Sequence, residues 1–272
     1  MGILLDREVY VVVGTPGEEG RQIARLRIDF TVEQTKYANP NKAKIQVYNL
    51  KRTTAALFER GDDRRAIQLF AGYDNGTAAA LLFQGEIRSA KTIKNGVDRI
   101  TRVEAADGGA EYRSARLVKS WAGPVSSGEI ITALQDSFGT LIELPDEIPE
   151  IEFTSGFTAA GPSRETLSKL GASLGFDWTF EEGLIVVTAT DGAVRQTAPV
   201  LSQTTGLVGS IEETDKGVSG TSLLNPEIRP KRFVNILTDQ TEGFFLVQKV
   251  THKGSNYDTS FYTEFEAREK PR

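Results

Sequence analysis

A strand, a short helix and a hairpin follow one another between residues 42 and 87, and this succession limits the folds open to the chain. Residues 42–50, KAKIQVYNL, nearly alternate apolar and polar side chains, as half-buried strands do. Residues 53–59 begin on a helix-capping residue type and predict one or two helical turns. Residues 66–87 contain two aliphatic segments on either side of Asp74-Asn75-Gly76, a typical hairpin turn. The stretch therefore predicts antiparallel β structure with one small helix.

Composition excludes several classes of function. The 272 residues include no cysteine and a single histidine, His252. Disulfides, thiol nucleophiles and thiolate metal sites are therefore excluded, and at most one Ser–His arrangement can form. The net charge of −5 argues against a nucleic-acid-binding surface, which needs clustered Lys and Arg. No apolar run approaches the roughly 20 residues of a membrane span, and the first residues lack the features of a signal peptide.

Three domains are predicted along the chain. Residues 1–109 hold six to eight short predicted strands and one helix, which fits a closed or nearly closed barrel. Residues 81–87 and 90–93 are predicted as separate strands, and Asn95-Gly96 is predicted as a hairpin turn. Residues 110–193 predict a small α+β insert domain, and residues 194–272 return to β structure. The predicted fold class is mainly β, with β-rich domains on both sides of the α+β insert.

Two helices of the insert are predicted from similar end signals. The first begins near Ser126-Ser127-Gly128-Glu129 and ends at Gly139, and the second spans residues 163–174 and ends at Gly175. A hairpin of residues 176–180 and 184–188 follows them. In the last domain, strands are predicted at residues 207–211, 218–224, 233–237, 244–252 and 259–267. The prolines at 226 and 230 force a bend between two of these strands.

His252 is the first candidate for chemistry. It lies at the predicted end of a strand, with Asp258 and Ser260 close by in sequence. A Ser–His–Asp arrangement can be drawn from them, but a Gly-x-Ser-x-Gly elbow and an oxyanion hole are missing. We interpret His252 as a structural residue and predict that no residue is catalytic.

Acidic and glycine-rich segments predict neither a metal site nor a cofactor site. The acidic residues between 146 and 152 lack the oxygen spacing and the sharp glycine turn of a calcium loop. Residues 14–20 are rich in glycine, but no Gly-Lys-Ser/Thr follows them, so we interpret them as a hairpin loop. The basic residues Lys51-Arg52, Arg60 and Arg64-Arg65 are balanced by acids nearby and favour a subunit interface over nucleic acid.

Three groups of residues resemble the tail hub proteins of long-tailed bacteriophages and related contractile injection machines. The groups, in chain order, are Tyr48-Asn49-Leu50 with Ala71-Gly72-Tyr73 and Phe83-Gln84-Gly85; Leu224-Asn225-Pro226 with Ile228 and Pro230; and His252-Lys253-Gly254 with Phe261-Tyr262-Thr263-Glu264. The resemblance covers most of the chain and is least informative in the middle insert.

This resemblance implies an architecture and a set of partners. In that family two tube-protein-like β-barrel domains of one chain are similar in shape, and three chains form a ring of six barrel-like modules. The ring joins the sixfold tail tube to the threefold spike. The implied partners are two further copies in a homotrimer, the tail tube protein, the central spike protein and the tape-measure protein. The implied location is the baseplate or tip of the virion tail, assembled in the host cytoplasm.

DNA is expected to pass through such a ring without specific binding. At −5 per chain, a trimer carries −15 (3 × −5), so a neutral or negative lumen is expected, with the basic clusters at contacts between neighbours. Two other functions stay open. A hub-associated peptidoglycan-degrading protein is one, although residues 110–193 contain no histidine. A glycan-binding module, with Trp121 or Trp178 as its platform, is the other.

Overall fold

The computed structural model describes residues 6–16, 18–59, 65–74, 78–181, 183–190, 192–194, 197–215 and 217–269, with Ala110 and Glu111 described by their backbone alone. The predicted strand residues 3–5, the turn residues Asn75 and Gly76, and Arg60 and Arg64 of the basic cluster lie outside these ranges. The described residues of Met1–Thr35, Asn41–Asp107 and Arg195–Arg272 form one compact unit, the first unit. Those of Lys36–Pro40 and Gly108–Val194 form the second unit.

The elements of the first unit come from both ends of the chain. They are β1 (Asp6–Gly14), β2 (Arg21–Ile23), β3 (Ile28–Thr35), β4 (Lys42–Tyr48), α1 (Arg52–Ala55), β5 (Ala66–Asp74), β6 (Ala80–Asn95), β7 (Asp98–Ala106), β14 (Val200–Leu201), β15 (Leu207–Thr214), β16 (Gly217–Leu223), β17 (Phe233–Leu237), β18 (Glu242–Ser255) and β19 (Phe261–Glu269). The elements of the second unit are α2 (Gly109–Ser114), β8 (Arg116–Trp121), β9 (Val125–Ser126), α3 (Ser127–Phe138), β10 (Glu152–Phe153), β11 (Phe157–Pro162), α4 (Ser163–Leu174), β12 (Phe176–Glu181) and β13 (Leu184–Ala189).

One open sheet organises the first unit. Its strands follow the order β15-β16-β19-β18-β3-β4-β7-β6-β5-β1-β2, with β17 attached to β18 and β14 attached to β17. Among the described residues no pairing joins β15 to β2. The mainly β class is therefore confirmed, whereas the expectation of separate closed or nearly closed barrels is not. The sheet continues from one predicted barrel into the other because β18 pairs with β3.

Strand β18 is shared between the early and late strands. Its residues 242–246 pair with β17, and its residues 249–255 pair with β3, all antiparallel. A bulge between Val247 and Lys249 in the β18–β19 ladder lies where one neighbour replaces the other. Bulges bend a strand and increase its twist, so this one lets a single strand serve two parts of the sheet.

Two separate cores lie within the first unit. The first core is packed mainly from β1–β7 and α1, but it also contains Leu224 and Phe261 from the far end of the chain. The second core is packed from β14–β19 and the segment before β17, with Ile228, Val234 and Val250 fully enclosed. We refer to the strands around these cores as the first and second β modules. The first module is therefore completed by residues that follow the insert.

Several local predictions need correction. Strand β6 is one 16-residue strand with a bulge between Ile87 and Ser89, where the sequence predicted two strands. Helix α1 begins at Arg52, and its N-cap residue Lys51 makes no side-chain capping bond, so the cap predicted at Thr53 is wrong. The hairpin turn at Asn95-Gly96 is confirmed, with Gly96 at a φ of +61°.

The second unit matches its predicted elements closely. Helix α3 is capped by the Ser126 side chain, which accepts a hydrogen bond from the Glu129 N–H, and it ends at Gly139 in the left-handed conformation. Helix α4 ends in the same way at Gly175. Both bury one apolar face together with Trp178 and the β12–β13 hairpin. None of the described helices has the length and apolar character needed to cross a membrane.

Candidate functional site

Three of the segments singled out in the sequence meet at Tyr73. The Tyr73 hydroxyl lies 3.3 Å from the Phe261 carbonyl oxygen, to which it donates, and 3.3 Å from the Leu224 N–H, from which it accepts. The Tyr73 ring packs edge-on against the Phe261 ring with centroids 5.1 Å apart. Burial raises the pKa of Tyr73. Tyr73 thus fastens the end of β5 to the segment after β16 and to the start of β19.

A second set of hydrogen bonds joins Asn225 to His252 through Thr263. The Asn225 N–H donates to Thr263 Oγ1 over 2.9 Å, and Thr263 Oγ1 lies 2.9 Å from His252 Nδ1. The Asn225 side-chain oxygen accepts from the Glu227 N–H at 2.9 Å, an Asx turn that starts the bend at Pro226. We call Tyr73, Leu224, Asn225, His252, Gly254, Phe261 and Thr263 the motif junction.

Glycine is required at position 254 by the aromatic rings around it. A Cβ at Gly254 would overlap the Phe30 ring and would lie 2.7 Å from Phe261 Cδ2. Phe30 and Phe261 are themselves packed edge-on, with centroids 6.1 Å apart. The close approach of β18 to these rings explains the glycine two residues after His252.

His252 lies inside β18, three residues before the strand ends, and has no solvent-exposed surface. Burial, together with the positive charge of Arg229, lowers its pKa to about 3. The imidazole is therefore neutral at ordinary pH. Asp258 and Ser260 lie in the exposed turn beyond β18, whereas Nδ1 of His252 faces Thr263. His252 packs inside the sheet beside Thr263, so its predicted location at a strand end is wrong.

Arg229 also holds this region together, although it is not among the motif residues singled out in the sequence. It lies between Pro226 and Pro230, its Nε donates to the Pro226 carbonyl oxygen at 3.0 Å, and its Nη2 donates to the Leu81 carbonyl oxygen at 2.8 Å. Arg229 therefore ties the bend after β16 to the start of β6. The available signal was an arginine between two prolines, because proline lacks a backbone N–H and such a segment therefore offers few backbone donors.

Tyr48-Asn49-Leu50 lies apart from the motif junction, at the end of β4. Asn49 is in the left-handed conformation with a φ of +57°, which asparagine tolerates better than most residues. Its side chain donates to Asp98 Oδ1 over 2.8 Å and accepts from the Arg99 N–H at 3.0 Å. Leu50 is buried, and its carbonyl oxygen accepts from Arg99 Nη2 at 2.7 Å. This triplet braces the β6–β7 hairpin next to its turn.

The remaining motif residues pack within the first module. Ala71 is fully buried in β5, and Gly72 lies against Ala79, where a Cβ would approach within 3.2 Å. Tyr48 stacks under the Arg27 guanidinium at 4.5 Å. Burial would raise the pKa of the adjacent Asp29 carboxyl, but hydrogen bonds from Arg27, Ser255 and Tyr48 outweigh it and leave this pKa below its ordinary value.

The side chains weighed for other chemistry occupy structural positions. Trp178 is buried in the second unit and donates to Ser168 Oγ at 3.1 Å, so it offers no platform for a sugar. Trp121 is partly exposed, and Lys119 lies over its ring at 4.7 Å. Within the described ranges, no three His, Asp or Glu side chains are grouped so that they could hold a metal ion.

No family model matches this sequence, and no curated protein matches it. Solved structures, however, match nearly the whole chain. The 43 kDa tail protein of prophage MuSo2 from Shewanella oneidensis superposes with a TM-score of 0.60 at 9% identity, covering 96% of this chain and 97% of that one. A tail protein from Neisseria meningitidis MC58 gives a TM-score of 0.61 at 12% identity, covering 96% of each chain.

A third similar structure comes from a secretion machine. The E. coli c3393 protein, a component of the type VI secretion system with structural similarity to the T4 tail proteins gp27 and gp5, has a TM-score of 0.59 at 13% identity, covering 96% of this chain and 79% of that one. At these identities the comparisons establish a shared fold. The resemblance deduced from the motif residues is thus confirmed at the level of the fold, which is that of phage tail proteins.

Proposed function

We propose that this chain is the structural hub of a phage tail baseplate or of a related injection machine. The observation that carries the proposal is the end-to-end match to two phage tail proteins, which includes the insert as well as the β strands. The proposed partners are further copies of the chain, the tail tube protein, the central spike protein and the tape-measure protein. The proposed location is the tip of the virion tail.

The internal organisation of the first unit supports a ring of three chains. Each chain has two β cores, and strand β18 pairs with β17 beside one core and with β3 beside the other. Three such chains would place six β modules around an axis, which matches a sixfold tube on one side and a threefold spike on the other. Closed cyclic rings are the usual form of assemblies built from identical chains.

The charge of the sheet surface supports passage of DNA without capture. On the solvent side of β18 and β19, Lys253 pairs with Glu264 at 2.8 Å and Lys249 pairs with Glu266 at 3.1 Å. These lysines are neutralised by neighbours on the next strand, so they do not form the clustered positive surface that binds phosphates. A lumen built from such a surface would be neutral or acidic.

The direct test is the molar mass of the purified protein by light scattering across a range of concentrations, followed by electron microscopy of any oligomer. A stable trimer with a central opening is expected. A protein that stays monomeric at all concentrations would contradict the hub.

Two further measurements separate the hub from the alternatives. Lytic activity on peptidoglycan is expected to be absent, and His252→Ala is expected to change nothing in that assay beyond stability. DNA binding at low salt is expected to be weaker than micromolar. A lytic activity lost in a folded His252→Ala protein, or micromolar DNA binding, would favour a different function.

A further inference from the structure

The hairpin formed by β6 and β7 carries an apolar residue at its tip. Val97 is 97% exposed in the two-residue turn between the strands. Lys91 and Lys94 are exposed on β6 close to this tip. Turn positions normally hold small or polar residues, so a fully exposed valine there is unusual. We call residues 91–99 the finger.

The finger is held in a fixed direction. Residues 89–95 of β6 pair with β7, and within the described part of the chain no strand pairs with them on the other edge. Asn49 bonds to Asp98 and Arg99, the first two residues of β7 after the turn, so the tip itself is braced. A braced element of this kind loses little conformational freedom when it binds, which favours its use as a contact.

A complementary surface lies on the second β module. Val200, Asn235 and Phe244 are aligned across β14, β17 and β18, and Leu237 lies two residues from Asn235 on the same face. The side chains of Val200, Leu237 and Phe244 are 41%, 41% and 55% exposed. The opposite face of these strands packs into the second core. We call the exposed face formed by Val200, Leu237 and Phe244 the apolar patch.

The charges at the Leu237 edge of the apolar patch are opposite to those of Lys91 and Lys94 in the finger. Asp239 and Glu242 are exposed in the turn and strand next to Leu237, and residues 237–242 contain no Lys or Arg. An apolar centre with two acids at one edge matches an apolar tip that is preceded by two exposed lysines. Such complementarity steers association and fixes the register of a contact.

We propose that the apolar patch is the docking site for the finger of a second copy of this chain. Val97 and Phe244 are both exposed within one chain, so they do not meet internally. The finger belongs to the first module and the patch to the second, so each copy offers both halves of a head-to-tail contact. Contacts of this type close into rings when the rotation between copies allows it. The inference rests on the ring proposed above and identifies the surfaces that join its members.

The natural absence of cysteine makes the contact directly testable by cross-linking. Val97→Cys and Phe244→Cys proteins are mixed under a mild oxidant and separated without reductant. A covalent dimer is expected from the mixture and not from either protein alone, and the chain carrying both substitutions is expected to give a covalent trimer. Val118→Cys, which replaces a residue 78% exposed in the second unit, mixed with Phe244→Cys is the matched control and should not cross-link.

Charge reversal provides an independent measurement. Lys94→Glu and Glu242→Lys are each expected to raise the concentration at which the trimer dissociates about tenfold, and the two together are expected to restore it. If the protein is a trimer but forms no cross-link between positions 97 and 244, and neither charge reversal changes its dissociation, the inference is overturned while the proposed ring still stands. Cross-linking of Val97→Cys to itself, or of the patch to tail tube protein instead, would also overturn it. A wild-type protein that is monomeric throughout would overturn the ring and the inference together.

Discussion

Replacing His252 by asparagine should remove much of the acid sensitivity of the first unit. Asparagine keeps a polar group near the position of Nδ1, so the hydrogen bond to Thr263 has a substitute, but it cannot take up a proton between pH 5 and 7. The variant will be less stable at pH 7 because a smaller side chain leaves space in the core. The informative quantity is the change of stability with pH.

The size of the change in unfolding free energy with pH follows from the pKa of His252, which is about 3 in the folded protein against an ordinary value of 6.5. Below pH 6.5 the unfolded chain binds a proton that the folded chain does not. Stability therefore decreases as the pH falls, and this decrease ends only near pH 3. Over that whole interval the loss is about 5 kcal/mol, and between pH 7 and pH 5 it is about 2 kcal/mol.

The measurement is urea unfolding at pH 7 and pH 5, followed by far-ultraviolet circular dichroism for the β sheet. Trp121 and Trp178 are the only two tryptophans and both lie in the second unit, so their fluorescence reports the unfolding of that unit as an internal control. The wild type should lose about 2 kcal/mol more than His252→Asn between the two pH values. Equal losses in the two proteins would refute the reasoning, because they would show that His252 is not held neutral by burial.

Three further predictions concern packing and the insert. Gly254→Ala should lower the free energy of unfolding, measured in urea, by about 3 kcal/mol because its methyl group would meet Phe30 and Phe261. Gly123→Ala, with open space around it, is the control and should change this free energy little. Equal effects of the two substitutions would contradict the close packing at Gly254. Tyr73→Phe should lower the free energy of unfolding by only about 1 kcal/mol, because the Leu224 N–H keeps its 3.1 Å bond to the Phe261 carbonyl oxygen. Tyr257→Phe, at a 79% exposed position, is the control. A loss at Tyr73 no larger than that at Tyr257 would argue against the bonds made by the Tyr73 hydroxyl. Joining Gly109 to Gly192 should leave β-type circular dichroism and cooperative melting, because neither core of the first unit contains a residue from 110–191, and complete unfolding would show that the insert is integral.

Local features of the fold were predictable from the sequence because their signals are local. Strands β3 and β4 alternate in burial as their residues alternate in polarity. Helices α3 and α4 end at glycines that the structure places in the left-handed conformation. Such signals depend on residues two to four positions apart, which a sequence shows directly.

Features that depend on distant pairing were not predictable in the same way. The bulges after Ile87 and Val247 shift the two-residue alternation of buried and exposed side chains. The sequence pattern therefore predicts two strands where β6 is one, and it does not show that His252 is buried inside β18. The pairing of β18 with β3 leaves no local mark on either strand. Of the motif junction, the sequence supplied most members, but their convergence on Phe261 and Thr263 became visible only in the fold.

The pairing of β3 with β18 also has a consequence for how the chain reaches its native state. The Ile28 N–H donates to the side chain of Asn256, 228 residues further along the chain. The first core is also incomplete until Leu224 and Phe261 have been added to it. During synthesis the first module therefore emerges with one strand edge unpaired and its interior incomplete. Contacts between such distant residues slow folding, and an open strand edge invites pairing with other chains. Until Leu224 and Phe261 have emerged from the ribosome, the nascent chain is exposed to aggregation and to capture by chaperones.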